Sequence, residues 1–208
     1  MKGRFITLEG VEGCGKTTQI NQLKKYLENR GYPVDVTREP GGTPLAEAIR
    51  GLLLNPANHA MAAATELFLY EAARAQHVAE RIRPGLQAGK IILSDRYADS
   101  TTAYQGAGRG FPKEIVERLH EVATQGTSPD LTILLDVPVE EGLSRVSRLQ
   151  KSDRLEQEPV EFHRKVRAEF LRLAEAHPER IKVVDGTRHV EEVSAEIRKF
   201  VDALLDQK

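Results

Sequence analysis

The chain has 208 residues and a single cysteine, Cys14, which excludes an internal disulfide and any cysteine-rich metal site. Its histidines (His59, His77, His120, His163, His177 and His189) fall at spacings that make no zinc signature. They read as surface or helix residues. Net charge is nearly absent too: 30 basic residues against 31 acidic ones leave −1, no general reason to bind nucleic acid or an anionic membrane. Phosphate recognition therefore has to be local. No apolar run reaches the roughly 18 residues that would span a bilayer, and "MKGRFITLEG" enters a strand-like stretch without a signal-peptide pattern. The expectation is a cytoplasmic protein that binds neither membrane nor nucleic acid. With no internal repeat, low-complexity tract or linker, residues 1–208 are expected to form a single domain.

What is present is a repeating pattern. Strand-like runs occur at 4–9 ("RFITLE"), 33–39, 90–95, 131–137 and 180–185, each followed by a candidate helix. Buried β-branched strands alternating with amphipathic helices predict an α/β fold with a five-stranded parallel sheet covered on both faces. Thr17 and Thr18 start the first helix, Gly31 closes it before Pro33, and Pro44 opens the second. An Ala-rich helix is expected over about 62–85. The charged stretch at 144–159, "SRVSRLQKSDRLEQEP", lacks a clean apolar stripe in its middle; it reads as a solvated turn and loop or as a mobile lid carrying cations.

Ligands of parallel sheets collect at the carboxyl ends of the strands. After the first strand, Gly10-Val11-Glu12-Gly13-Cys14-Gly15-Lys16-Thr17 fits G-x-x-x-x-G-K-[ST], between a predicted strand and helix. Its glycines let backbone N–H groups converge on phosphate oxygens, and the helix N-terminus adds a favourable dipole. Lys16 would lie along the β- and γ-phosphates, with the Thr17 hydroxyl on Mg²⁺. ATP or GTP binding by Gly10 to Thr18 is the first expectation. Glu12 cannot usefully face a triphosphate, so it is expected to point toward a second substrate's hydroxyl or a metal-bound water. Cys14 reads as a small filler.

After the third strand, Asp95 could meet Mg²⁺ and Arg96 could fork onto a phosphate. Thr101 and Gln105 are four apart, as are Tyr70 and Arg74 in "ELFLYEAARAQH", and each pair could read or stack on a planar base. Asp136, at the end of the fourth strand, reads as structural.

Together, "GVEGCGKTT", "TREPGGTPLAEAIR", "ELFLYEAARAQH", "SDRYADSTTAYQGAGRG" and "DRLEQE" resemble bacterial thymidylate kinases over essentially the whole chain. That resemblance implies a P-loop three-layer sandwich with a mobile lid, Mg²⁺ with ATP as phosphoryl donor, dTMP as acceptor, and a homodimer. It places Tyr70 against thymine, with Arg74 and Gln105 on the base edge and Thr101 nearby. It places Arg50 and Arg96 on the acceptor phosphate, Tyr104 by the sugar, and Glu12 and Glu39 near the sugar and metal water. Loop positions Val11 to Cys14 carry no arginine, so a lid arginine is expected to supply the missing charge: Arg148 or Arg154, with Arg145 and Lys151 behind. Two rivals stay open on the residues alone. One is a kinase of another nucleoside monophosphate or a deoxynucleoside; the other is a nucleotide-gated switch, although no N-K-x-D string is present.

Overall fold

The computed structural model describes residues 2–147 and 153–206. The five strands are β1 (Arg4–Glu9), β2 (Val34–Arg38), β3 (Ile91–Asp95), β4 (Leu131–Asp136) and β5 (Ile181–Asp185). All pair in parallel, in the order β2-β3-β1-β4-β5. The sequence pattern located each of them to within a residue or two. Phe5, Ile6, Leu8, Ile92, Leu93 and Ile133 are fully buried, each worth about 1.5–3 kcal/mol of apolar burial. Both faces are apolar because helices cover both.

Around the sheet lie α1 (Lys16–Asn29), α2 (Pro44–Leu54), α3 (Ala63–His77), α4 (Arg83–Gln87), α5 (Ala98–Thr101), α6 (Lys113–Thr124), α7 (Val139–Ser147), α8 (Val160–Ala176) and α9 (Val190–Leu205). Pro44 does open α2, where the Thr43 side chain caps the Ala46 N–H at 3.4 Å. The long helix expected over 62–85 is three pieces: α3, a π-helical turn at Val78–Ile82, and α4. A second π-helical turn, Thr102–Gly108, continues α5 and carries Tyr104 and Gln105. Such turns shift which side chains share a face.

Two features set up the site. Connections from β1 and β4 run to opposite edges of the sheet, which opens a crevice at the strand ends. The register also sets Leu8 of β1 and Arg38 of β2 opposite Asp95, so Glu9, Glu39 and Arg96 follow at one end of the sheet. Close backbone packing holds α7 on the loop after β1. A Cβ on Gly13 would lie 2.1 Å from the Gly142 carbonyl oxygen, and one on Gly142 would lie 2.3 Å from that of Glu12.

Candidate active site

Gly10 to Gly15 turn the chain from β1 into α1 through three positive-φ glycines. Lys16 Nζ donates to the carbonyls of Gly10 (3.1 Å) and Val11 (3.0 Å) and to Cys14 Sγ (3.4 Å). Cys14 is 2% exposed and serves as filler under the loop. Thr17 Oγ1 donates to Asp95 Oδ2 at 3.4 Å, which brings together the two side chains singled out for a cation. They are hard oxygen donors, a set that suits a small divalent ion keeping most of its water and phosphate ligands. Among the described residues no group of three or more His, Cys, Asp or Glu could hold a metal.

Beside the loop is a cavity of about 220 Å³. Glu12, Glu39, Arg50, Tyr70, Arg74, Asp95, Arg96, Thr101, Tyr104 and Gln105, spread over nearly a hundred positions of sequence, all line it. Arg38, Tyr97, Asp153 and Glu156 line it as well, without having been marked beforehand.

Arg96 is the junction of loop and cavity. Its Nη1 donates to Gly10 O (3.0 Å) and Ser100 Oγ (3.1 Å), and its Nη2 to Glu12 Oε1 (3.2 Å) and the Tyr104 hydroxyl (3.0 Å). Its φ of 71° lies in the left-handed region, a strained position for a side chain of this size. Glu12 accepts from Tyr104 and Arg96 on Oε1, while His163 Nδ1 sits 3.2 Å from Oε2. Burial works against its charge, but the hydrogen bond to His163, the Arg96 charge, the Tyr104 hydroxyl and Lys16 outweigh it and hold its pKa down to about 2. Glu12 is thus a fixed negative charge whose side chain is engaged on the cavity side of the loop.

The base-edge candidates are tightly held. Arg74, 1% exposed, donates to Glu39 Oε2 (2.8 Å), Glu71 Oε1 (2.7 Å), Tyr97 O (3.1 Å) and Thr101 Oγ1 (2.9 Å). Burial opposes its charge, but Glu39 and Glu71 raise its pKa further. Glu39 also contacts His77 Nδ1 at 2.9 Å, so each of its oxygens already has a protein partner. Burial pushes the Tyr70 hydroxyl pKa up, leaving a neutral aromatic plane on the cavity wall. Arg50 Nη1 donates to Pro40 O at 2.8 Å, and burial, then the nearby Arg38, lowers its pKa.

The lid arginines separate. Arg148 and Lys151 lie outside the described residues. Arg154 is 6% exposed and does not line the cavity: Nη1 pairs with Glu66 at 2.6 Å and Nε with Leu53 O at 2.9 Å. Its partner is Glu66, not the neighbouring Asp153 or Glu156. Arg145 Nη1 donates to Gly13 O (3.2 Å) and Gly186 O (3.3 Å), tying α7 to the phosphate loop and to the loop after β5. Asp136, read from the sequence as structural, makes a two-pronged pair with Arg167 at 2.7 and 2.8 Å.

His77 and His163 lie on helices, α3 and α8, as one of the two readings has it, but not at the surface: both are 0% exposed, each beneath a site carboxylate, Glu39 and Glu12. The sequence reading does not mark Glu9. At the end of β1 it is 1% exposed and accepts from Tyr97 N (2.7 Å) and Ser100 Oγ (2.6 Å). Burial and then the charge of Asp99 raise its pKa to about 8, against the pull of Arg96. An acidic residue closing an apolar strand, one position before the loop glycine, was the available signal.

A sequence model of thymidylate kinase matches residues 8–197. The chain is 51% identical to the thymidylate kinase of Geotalea uraniireducens (strain Rf4), with 98% of each chain covered. It is also 51% identical to that of Carboxydothermus hydrogenoformans, covering 98% of this chain and 99% of the relative. A crystal structure of thymidylate kinase from Ehrlichia chaffeensis superposes with a TM-score of 0.80 at 33% identity, over 97% of this chain and 99% of that one. With the matched region spanning most of the sequence and relatives of nearly equal length at about half identity, the chain belongs to the thymidylate kinase family.

Proposed function

We infer that this protein transfers the γ-phosphoryl group of ATP to dTMP, giving dTDP, in one domain spanning residues 1–208. The observation that carries the reading is Arg96, whose guanidinium bonds the phosphate loop at Gly10 on one side and Glu12 and Tyr104 in the cavity on the other. A cation so placed serves a phosphate that has to meet the donor's terminal phosphoryl group in line.

ATP lies on the amides of Gly10 to Thr18, with Lys16 turning from the loop carbonyls to the β- and γ-phosphates. Mg²⁺ would be held by Thr17 and Asp95, and when bound it neutralises phosphate charge. Arg96 and Arg50 hold the acceptor phosphate, Tyr70 stacks on the base, and Arg74, Thr101 and Gln105 meet its edge. Glu12 and Glu39 face the acceptor sugar and metal water; for Glu12 the depressed pKa supports a permanently charged role rather than proton uptake. Tyr104 crowds the position where a ribose 2′-hydroxyl would project. Residues 144–159 act as the lid, and of the two lid candidates the pairing of Arg154 with Glu66 counts against Arg154 and leaves the role to Arg148.

The setting follows from composition and surface. We propose a cytoplasmic enzyme whose partners are ATP and dTMP rather than nucleic acid; no helix among the described residues is long and apolar enough to cross a membrane. The packed helices α3 and α6 expose Phe68, Ile115 and Val122, apolar side chains that a homodimer would cover.

A coupled ADP-release assay with Mg-ATP and dTMP, dUMP, UMP, CMP, dCMP, AMP or GMP tests the reading against a no-acceptor control. Strong stimulation by dTMP with weaker turnover of dUMP is expected, since one methyl group discriminates by roughly 1–3 kcal/mol. Preference for another monophosphate would overturn the base assignments, and acceptor-independent hydrolysis would overturn the kinase.

A further inference from the structure

Glu66, on α3, is 0% exposed. Its Oε1 accepts from Gln105 Nε2 (2.8 Å) and Arg109 Nε (3.1 Å), and its Oε2 from Arg109 Nη2 (3.0 Å) and Arg154 Nη1 (2.6 Å). Four donors fill the acceptor capacity of one carboxylate. Burial opposes its charge, but the hydrogen bonds from Arg109 and Gln105 and the Arg109 charge prevail, holding its pKa below the usual range.

An ionised carboxylate only accepts, so the end of the Gln105 amide that meets it has to be the NH₂. The two ends of an amide look alike in shape, and here chemistry distinguishes them. Gln105 lines the cavity beside Tyr70, Arg74 and Thr101. Of the hydrogen bonds among the described residues, the one its side chain makes is that of Nε2 to Glu66, and none ends on Oε1. Arg74 carries donors alone, and its Nη1 keeps a second N–H beyond the bond to Glu71.

We propose that Glu66 is a specificity-determining positioning residue: by holding Gln105 Nε2 it turns Oε1 toward the acceptor base and selects a base that carries an N–H at that edge. The inference rests on the monophosphate kinase reading above. A pyrimidine with a carbonyl next to a ring N–H complements a donor from Arg74 and an acceptor from Gln105. Cytosine offers an amino group and a ring lone pair and matches neither. The ring methyl plays no part, so this device separates dTMP from dCMP and is blind to dUMP.

The test compares kcat/KM for dTMP and dCMP in the wild type, Glu66→Gln, Gln105→Met and the double variant. dTMP turnover by the wild type is measured first, so failure of the kinase reading is seen separately. Freed from Glu66, the Gln105 amide can rotate. Glu66→Gln is therefore expected to raise the dCMP-to-dTMP ratio roughly tenfold, with no added effect when combined with Gln105→Met. A Glu66→Gln variant that loses both activities in parallel, or one whose ratio changes as much in the Gln105→Met background, overturns the proposal. Glu66 also neutralises two arginines, so the variant can prove insoluble. The side-chain amide resonances of Gln105 in the wild type then decide. Held on Glu66, the NH₂ protons are protected from solvent exchange before and after dTMP is added; protection that appears only with dTMP means that the amide donates to the base and the proposal is wrong.

Discussion

His163 Nδ1 stands 3.2 Å from Glu12 Oε2, so the helix following residues 153–159 is bonded directly to the phosphate loop, 151 positions away in sequence. His163 is wholly buried beside Phe162, and its Nε2 has no hydrogen-bond partner among the described residues. The Glu12 contact is therefore its one polar engagement there.

Replacing His163 by Phe removes that contact while keeping a ring of similar size. Glu12 is ionised down to about pH 2 partly through this bond, so its loss raises the pKa toward the ordinary carboxylate range. The expected outcome is a kcat close to that of the wild type at neutral pH that falls away below about pH 5.5, where the wild type keeps its charge. Profiles of the two proteins between pH 4.5 and 8 make the comparison. A loss of the same size at every pH would sink the idea.

Glu9 has a pKa raised to about 8, above its unfolded value near 4.5. The folded state therefore binds its proton more tightly. The contribution is fully present below pH 4.5 and is lost progressively as pH rises through 8. Glu9→Gln keeps a neutral side chain at every pH and is expected to flatten this dependence. Thermal melts from pH 5 to 9 should show the melting temperatures converging at the acid end, with the variant ahead at the alkaline end. A wild type whose Tm rises between pH 6 and 9 relative to Glu9→Gln would contradict the assignment.

Arg154 and Arg148 are expected to fail in different ways. Arg154→Ala removes a buried partner of Glu66, which keeps Arg109 and Gln105; the loss of about 1–3 kcal/mol should appear as a drop in Tm. Arg148→Ala should reduce kcat on the order of 10³-fold, as removal of a phosphoryl-facing arginine does. Melting and steady-state kinetics on both variants check this. An Arg148→Ala enzyme of near-normal kcat would return the catalytic role to Arg154.

Arg96→Ala is expected to reduce transfer on the order of 10²–10³-fold while ATP affinity changes only a few-fold, because Lys16 and the loop amides remain. Titration with a fluorescent ATP analogue alongside turnover separates the two. An equal fall in ATP affinity would mean that its bond to Gly10 holds up the loop, and the division of roles would be wrong.

Much of the fold and part of the site could be read in advance, for a physical reason. Strand runs such as "KIILSD" and the phosphate loop are local signals, written in consecutive residues whose backbone needs are set nearby. His163, Glu9 and Glu66 carry no such mark. Each acquires its role from a partner far along the chain: Glu12 at 151 positions, Tyr97 at 88, Arg154 at 88. A lone histidine in "EFHRK" looks like a surface helix residue until α8 is laid against the loop. Arg154 shows the converse case, a residue marked by its local motif whose long-range partner turns it away from the cavity.

The left-handed backbone at Arg96 makes stability and turnover competing properties at one position. Holding a residue with a β-carbon at φ 71° costs about 1–2 kcal/mol that glycine would not incur. Arg96→Gly should therefore melt several degrees above Arg96→Ala while remaining as slow. The strain at Arg96 is a standing handicap that the working enzyme retains.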